Sequence, residues 1–154
     1  MGGNREPAGE GPVILDGLLY RADAAISRWI AEKIPGYRIN QNARCIGVIK
    51  GERLVAAVTY ENYNGVHVES CIAAEPRALW ATDDVLRAIF TYPFVTLGCK
   101  AISVSVPASN LASLNLATKL GFEPEAFVRY AAPDGSDLII LKMFRNNCEW
   151  IDHG

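Results

Sequence analysis

The sequence predicts an α/β fold, a mixed central sheet of six or seven strands with helices on both faces and a splayed parallel strand pair. Three observations carry this. Apolar residues recur at helical spacing in three stretches and alternate in the segments between them. Hairpin signals at Gly51-Glu52-Arg53, Asn64-Gly65 and "PDGSD" join consecutive alternating segments. One strand–helix–strand unit, over residues 66–106, suits a right-handed crossover between parallel strands.

Residues 1–11 hold Gly, Pro and charge with little to bury, so a flexible tail is expected, followed by a single domain over 12–154. "PVIL" reads as a short first strand. Asp16 stands as an N-cap, and Leu19, Ala22, Ile26, Trp29 and Ile30 recur at helical spacing until Pro35-Gly36. That run predicts an amphipathic helix of about four to five turns. "CIGVIK", "LVAAVTY" and "VHVESCIA" form an antiparallel meander. Beyond Pro76, Leu79, Leu86, Ile89 and Phe90 share one helical face, and Pro93 marks the stop.

"AISVSV" alternates strictly and sets Ile102, Val104 and Val106 on one side. Pro107 cannot donate to a sheet ladder, so the strand ends or splays there and opens a slot beside it. Ser109 or Asn110 caps the helix that follows, over 110–120, leaving its remaining amide donors near the slot. Gly121 suits the left-handed residue that ends this helix, with Phe122 packing back onto it. "AFVRYA" and "LIILKMF" then form the last hairpin.

The totals restrict function. A net charge of −2 gives no pull toward nucleic acid, whose binding rests on phosphate neutralisation. The four cysteines, Cys45, Cys71, Cys99 and Cys148, make no C-x-x-C pair, and with two histidines no metal-ligand spacing is assembled. They read as reduced, structural thiols, which places the chain in the cytoplasm. No apolar run approaches the ~20 residues of a membrane span, and the first residues carry no signal-peptide core.

The element order, together with "NLASLNLATKLGF" at 110–122, resembles the GNAT superfamily of N-acetyltransferases over about residues 12–146. Asn110, Ser113 and Lys119-Leu120-Gly121-Phe122 carry the likeness, with Glu123 and Glu125 following. It looks closest to the bacterial branch that acetylates protein N-termini and to bacteriophage-encoded members. The resemblance implies acetyl-CoA as co-substrate, its pantetheine arm in the slot, and a small-molecule or protein amine as acceptor. A homodimer or a phage protein assembly stays open.

Two departures stand out. The superfamily's phosphate loop, Arg/Gln-x-x-Gly-x-Gly/Ala, is here "EPRALWATDD", without glycine. Side chains then occupy space that phosphate-binding amides need. The tyrosine that many members use as acid toward the leaving thiolate is here Ala117, and Ser113 is the stand-in that the N-terminal-acetylating branch suggests.

Acyl transfer to an amine needs a base near the slot. Glu69 is the first candidate, on a strand where the resemblance also places a base, with His67 and the weaker Glu61 as alternatives. Arg77, the one cation in the glycine-free loop, is the candidate partner of the pyrophosphate. Trp80 either covers an adenine or plugs the site, and Ala81 adds an amide at the predicted helix start. Asn110 and Ser113 complete the cofactor-binding set. Two readings follow: an acetyl-CoA-dependent N-acetyltransferase, or a non-catalytic binding or structural protein that kept the fold, such as a bacteriophage particle component.

Overall fold

A computed structural model describes residues 11–154; the tail predicted over 1–11 lies, but for Gly11, outside the described residues. Eight strands form one sheet in the order β1-β2-β3-β4-β5-β6-β8-β7. In chain order they are β1 (Val13–Leu15), β2 (Leu18–Tyr20), β3 (Arg44–Lys50), β4 (Arg53–Glu61), β5 (His67–Ala74), β6 (Ala101–Pro107), β7 (Glu123–Val128) and β8 (Leu138–Phe144). The helices are α1 (Asp23–Lys33), α2 (Asp83–Thr91) and α3 (Leu111–Leu120).

The eighth strand is β2, where the sequence reading has the first helix already under way. Asp16 is a turn residue, not a cap: it and Gly17 both take positive φ, 52° and 78°, between paired Leu15 and Leu18. Asp-Gly is a preferred pair for such a two-residue hairpin. Leu19 happens to fall at helical spacing from Ala22 and Ile26, which hides the strand. The helix therefore begins at Asp23, whose carboxylate accepts the Cys45 amide at 2.9 Å and ties α1 to β3.

The second helix also starts late. Leu79 is 82% exposed and lies ahead of α2, so it is not on the helix's buried face. Leu86, Ile89 and Phe90 are on it. Nor does Pro93 stop the chain's winding. It sits in a π-helical turn, Tyr92–Thr96, closed by the Leu97 amide on the Tyr92 carbonyl at 2.9 Å. Lacking an N–H, Pro93 leaves the Ile89 carbonyl without its helical donor. The buried Tyr60 hydroxyl supplies one, at 2.6 Å.

Alternation along the strands divides the core between the two faces. On one, Ile26 and Ile30 of α1 pack on Cys45, Ala57 and Ala73. On the other, α2 and α3 cover Ile46, Val58, Val68, Ile102, Val104 and Leu141. The cysteines are all free thiols.

Helix α3 follows the sequence closely. The Asn110 side chain accepts the Ser113 amide at 3.1 Å, and Gly121 ends the helix at φ 109° with Phe122 buried after it. Gly121→Ala should lower stability by about 1 kcal/mol in urea unfolding, because an L side chain is strained at that φ. An unchanged midpoint would contradict the account of this helix end.

Candidate functional site

The site begins where the sheet forks. Strands β5 and β6 are parallel neighbours from His67↔Ala101 to Ser70↔Val104. Past that register β5 continues to Ala74 paired with β4 alone, and β6 continues to Pro107 paired with β8 alone. The fork opens ahead of Pro107, at Ser105. Successive amides in a strand point to opposite edges; since the Cys71 amide donates to Thr59 Oγ1 on β4 at 3.0 Å, the Ile72 amide faces the fork.

Two adjoining cavities occupy the fork. The narrower, about 50 Å³, runs between Ser70, Cys71 and Ile72 of β5 and Val104–Pro107 of β6, with Asn110, Ser113 and Ala117 of α3 as a wall. The wider, about 220 Å³, lies beyond it against Tyr37, Glu61, Asn62, Glu69 and Ser105. Its roof is the contact of Gly36 with Pro133, so close that a Cβ on Gly36 would sit 2.6 Å from the proline ring. The 129–137 loop is pinned to the α3 entrance by Ser109, whose hydroxyl donates to Asp134 at 2.5 Å. That bond and those from Ser136 hold the Asp134 carboxyl down at about 2.

The wider cavity contains two carboxylates and no cation among its described lining residues. Glu61 and Glu69 are directly opposite each other on β4 and β5, a like-charge placement that a sheet disfavours. Neutral donors hold both. Glu61 accepts the Tyr37 hydroxyl at 3.0 Å and the Thr59 hydroxyl at 2.7 Å. Glu69, exposed, accepts the Asn62 amide at 2.7 Å. Burial, then the charge of Glu61, pushes the Tyr37 hydroxyl above the ordinary tyrosine range, so it stays a donor.

His67 shares Glu69's face but lines neither cavity; its Nε2 meets the Ser103 hydroxyl at 2.8 Å. Burial, then Lys142, lowers its pKa. The Cys71 thiol is pushed up to about 12 by burial and then by Glu61, which makes it a poor nucleophile at neutral pH.

The structure thus brings Glu69, Ser113 and Asn110 around one fork, and Glu61 joins them. Arg77, Trp80 and Ala81 lie apart, in the segment before α2. Arg77 is exposed, at φ 64° in a turn after Pro76 that the Ala78 amide closes on Glu75. Trp80 is buried in the core and packs there, 6% exposed. Neither Trp80 nor Ala81 begins the helix; Thr82 is the cap, accepting the Val85 amide at 3.3 Å. Asp83 and Asp84 occupy the first turn of α2, where their charge opposes an incoming phosphate.

Three residues were missed by sequence reasoning. Tyr37 follows a Pro-Gly stop that marks it only as loop. Lys50, at a hairpin tip, donates to the Leu79 carbonyl at 2.7 Å and brings a second cation to the segment before α2. Ser70 had a signal: a polar residue on the buried Val68–Ile72 face of a strand.

The Cys71 value sets a pH dependence. The folded chain keeps this proton between the ordinary thiol value of 9.0 and about 12, while the unfolded chain releases it. Its contribution is therefore whole below pH 9 and is lost as pH rises toward 12. Urea unfolding at pH 8, 9 and 10 should show a shallower alkaline loss of stability in Cys71→Ala than in the parent. Parallel slopes would refute the burial argument.

No protein-family model matches the sequence, and no curated protein matches it. Solved structures do. The N-acetyltransferase PseH of Campylobacter jejuni, in complex with acetyl coenzyme A, is 16% identical with a TM-score of 0.52, over 68% of this chain and 70% of that one. A chimera of the spermidine N-acetyltransferase SpeG of Vibrio cholerae and hSSAT is 17% identical with a TM-score of 0.63, over 84% and 95%. A structure provisionally assigned as an acetyltransferase reaches a TM-score of 0.66 at 12% identity, over 92% and 93%. Eight strands with the β5–β6 fork, helices on both faces and these matches together establish that the chain has the fold of the GNAT acetyltransferases.

Proposed function

We propose that the chain is an acetyl-CoA-dependent N-acetyltransferase whose acceptor is a cationic amine, either a small molecule or a protein amino group. The observation that supports it most is the fork at Ser70↔Val104 leading into a cavity walled by Glu61 and Glu69. The residues of the narrow cavity fit a pantetheine arm: strand edges that lack a partner strand, Asn110 at the mouth and Ser113 one turn inside on the same helical face. Bound there, acetyl-CoA supplies an acyl group activated as a thioester.

The wider cavity does the rest. Paired carboxylates without a cation favour a positively charged acceptor. Both hydrogen bonds to Glu61 come from fixed neighbours, which suits it to anchoring charge. Glu69 is held through one oxygen and keeps the other to accept the acceptor nitrogen's proton, directly or through a water. Ser113, in the place the resemblance gives it, acts toward the leaving group.

Phosphate recognition rests on Arg77 and Lys50 in place of glycine-loop amides, against the charge of Asp83 and Asp84. That opposition also supports a second reading, a binding or structural protein, such as a bacteriophage component, that has lost the cofactor.

A thermal scan with acetyl-CoA separates the two, since a ligand that binds only the folded state raises its midpoint. A rise is expected; no shift and no calorimetric heat at millimolar ligand would leave the structural reading. With a polyamine or a peptide amine as acceptor, Glu69→Gln should cut the rate by roughly 10²–10⁴. Arg77→Ala should weaken CoA by about tenfold, the worth of a charge-assisted phosphate bond. Full activity in Glu69→Gln would remove Glu69 as the base, and unchanged CoA affinity in Arg77→Ala would remove Arg77 from the phosphate site.

A further inference from the structure

The side chain of Ser70 is an anomaly in the core. It is 8% exposed, and its Oγ has no hydrogen-bond partner. Buried hydroxyls in folded proteins almost always find one, because an unpartnered polar group bears its desolvation uncompensated. Ser70 is also the last residue of β5 that pairs with β6. The anomaly therefore sits at the crotch of the fork.

It also borders both cavities, together with Ile34, Cys71, Ser105 and Pro107. A group at this junction meets the bond that is exchanged when an acyl group passes from an arm in one cavity to a nitrogen in the other. Few side chains there can donate. Ser105 is exposed to solvent, and the Cys71 thiol is a weak donor. Ser113 lines the narrow cavity alone. The position of the tyrosine that the resemblance expects carries Ala117, which has nothing to donate.

We propose that Ser70 is a catalytic residue of the acyl transfer, its hydroxyl donating the hydrogen bond that the thioester sulfur accepts as it departs. This rests on the function proposed above. The neutral amine nitrogen bonds to the carbonyl carbon, and the C–S bond breaks with its electron pair going to sulfur. The proton lost by nitrogen passes to Glu69 or a water, and the thiolate regains one from water by way of Ser113. Ser70 keeps its own proton throughout; it lowers the energy of the charged sulfur without being consumed.

The role predicts two effects with opposite signs in one variant. Ser70→Ala removes a buried hydroxyl that nothing in the protein satisfies, so the ligand-free chain should melt at the same temperature or higher. The same variant should lose the stabilisation of the thiolate. Free CoA bound to the protein can be titrated by the ultraviolet absorbance of its thiolate, without turnover. In the parent its thiol should ionise about tenfold more readily, one pH unit lower, than in Ser70→Ala. Equal titration midpoints would overturn the assignment. So would a clearly lower melting temperature in Ser70→Ala, which would show the hydroxyl to be structurally engaged. If the parent binds no CoA at all, the proposed function falls and takes this assignment with it; binding with equal midpoints removes the assignment alone.

Discussion

The parallel pairing of β5 and β6 is the constraint on which the rest of the molecule depends. A crossover through α2 has to bring β6 alongside β5, and the two agree for four registered positions before parting. Every other strand contact in the described sheet is antiparallel. The fork thus sits at the one parallel junction among the described strands. The packing around it follows. Pro93 gives up a helical bond that Tyr60 repairs from β4, so the crossover is held to the sheet by a polar contact inside an apolar core. Helix α3 then leaves β6 immediately past the fork and lays Asn110 and Ser113 along it.

Electrostatically, the two ends of the fork differ. At the wide cavity, charge is concentrated in Glu61 and Glu69, and hydroxyl and amide donors hold it without neutralising it. Tyr37 is kept protonated by burial beside that charge, so the arrangement stays the same across neutral pH. Toward α2 the signs are mixed: Arg77 lies in the segment before the helix, Lys50 bonds that segment at Leu79, and Asp83 and Asp84 occupy the first turn, while Glu75 pairs with Arg53 and, at 3.7 Å, with Lys33. Affinity resting on exposed Arg77 and Lys50 should depend on ionic strength more than affinity resting on half-buried Glu61, because exposed charges are screened and partly buried ones much less.

Much of the fold was legible because local and global preferences coincide. Asn110, Gly121 and Phe122 are cap chemistry that reads the same in any context, and "AISVSV" alternates as a strand does, although both of its faces are buried as far as Val104. Misreadings arose where one pattern counterfeited another. Leu19 lies at helical spacing from Ala22, yet an Asp-Gly turn had already committed it to β2. Leu79 keeps the spacing of α2 but precedes its cap. In the site, Glu69 and Ser113 could be placed because strand alternation and helix spacing fix direction. Tyr37 and Lys50 depend on which loop folds over which strand end, and long-range contacts of that kind leave no local trace. Ser70 came closest to being read, since a hydroxyl on an apolar face is visible in the sequence as a break in pattern.

The outer margins of the sheet have a further consequence. At one margin β1 is three residues long. At the other, β7 opens with Glu123-Pro124-Glu125, its register slips between Pro124 and Ala126, and Glu125 is tied to Lys142 at 2.7 Å. A proline without a donor, an irregular register and flanking carboxylates make a poor template for another strand, as does so short a ribbon. Lateral polymerisation of the sheet is thus discouraged at both ends. The interior fork is left as the place where unpaired strand edges are offered to something other than a copy of the chain.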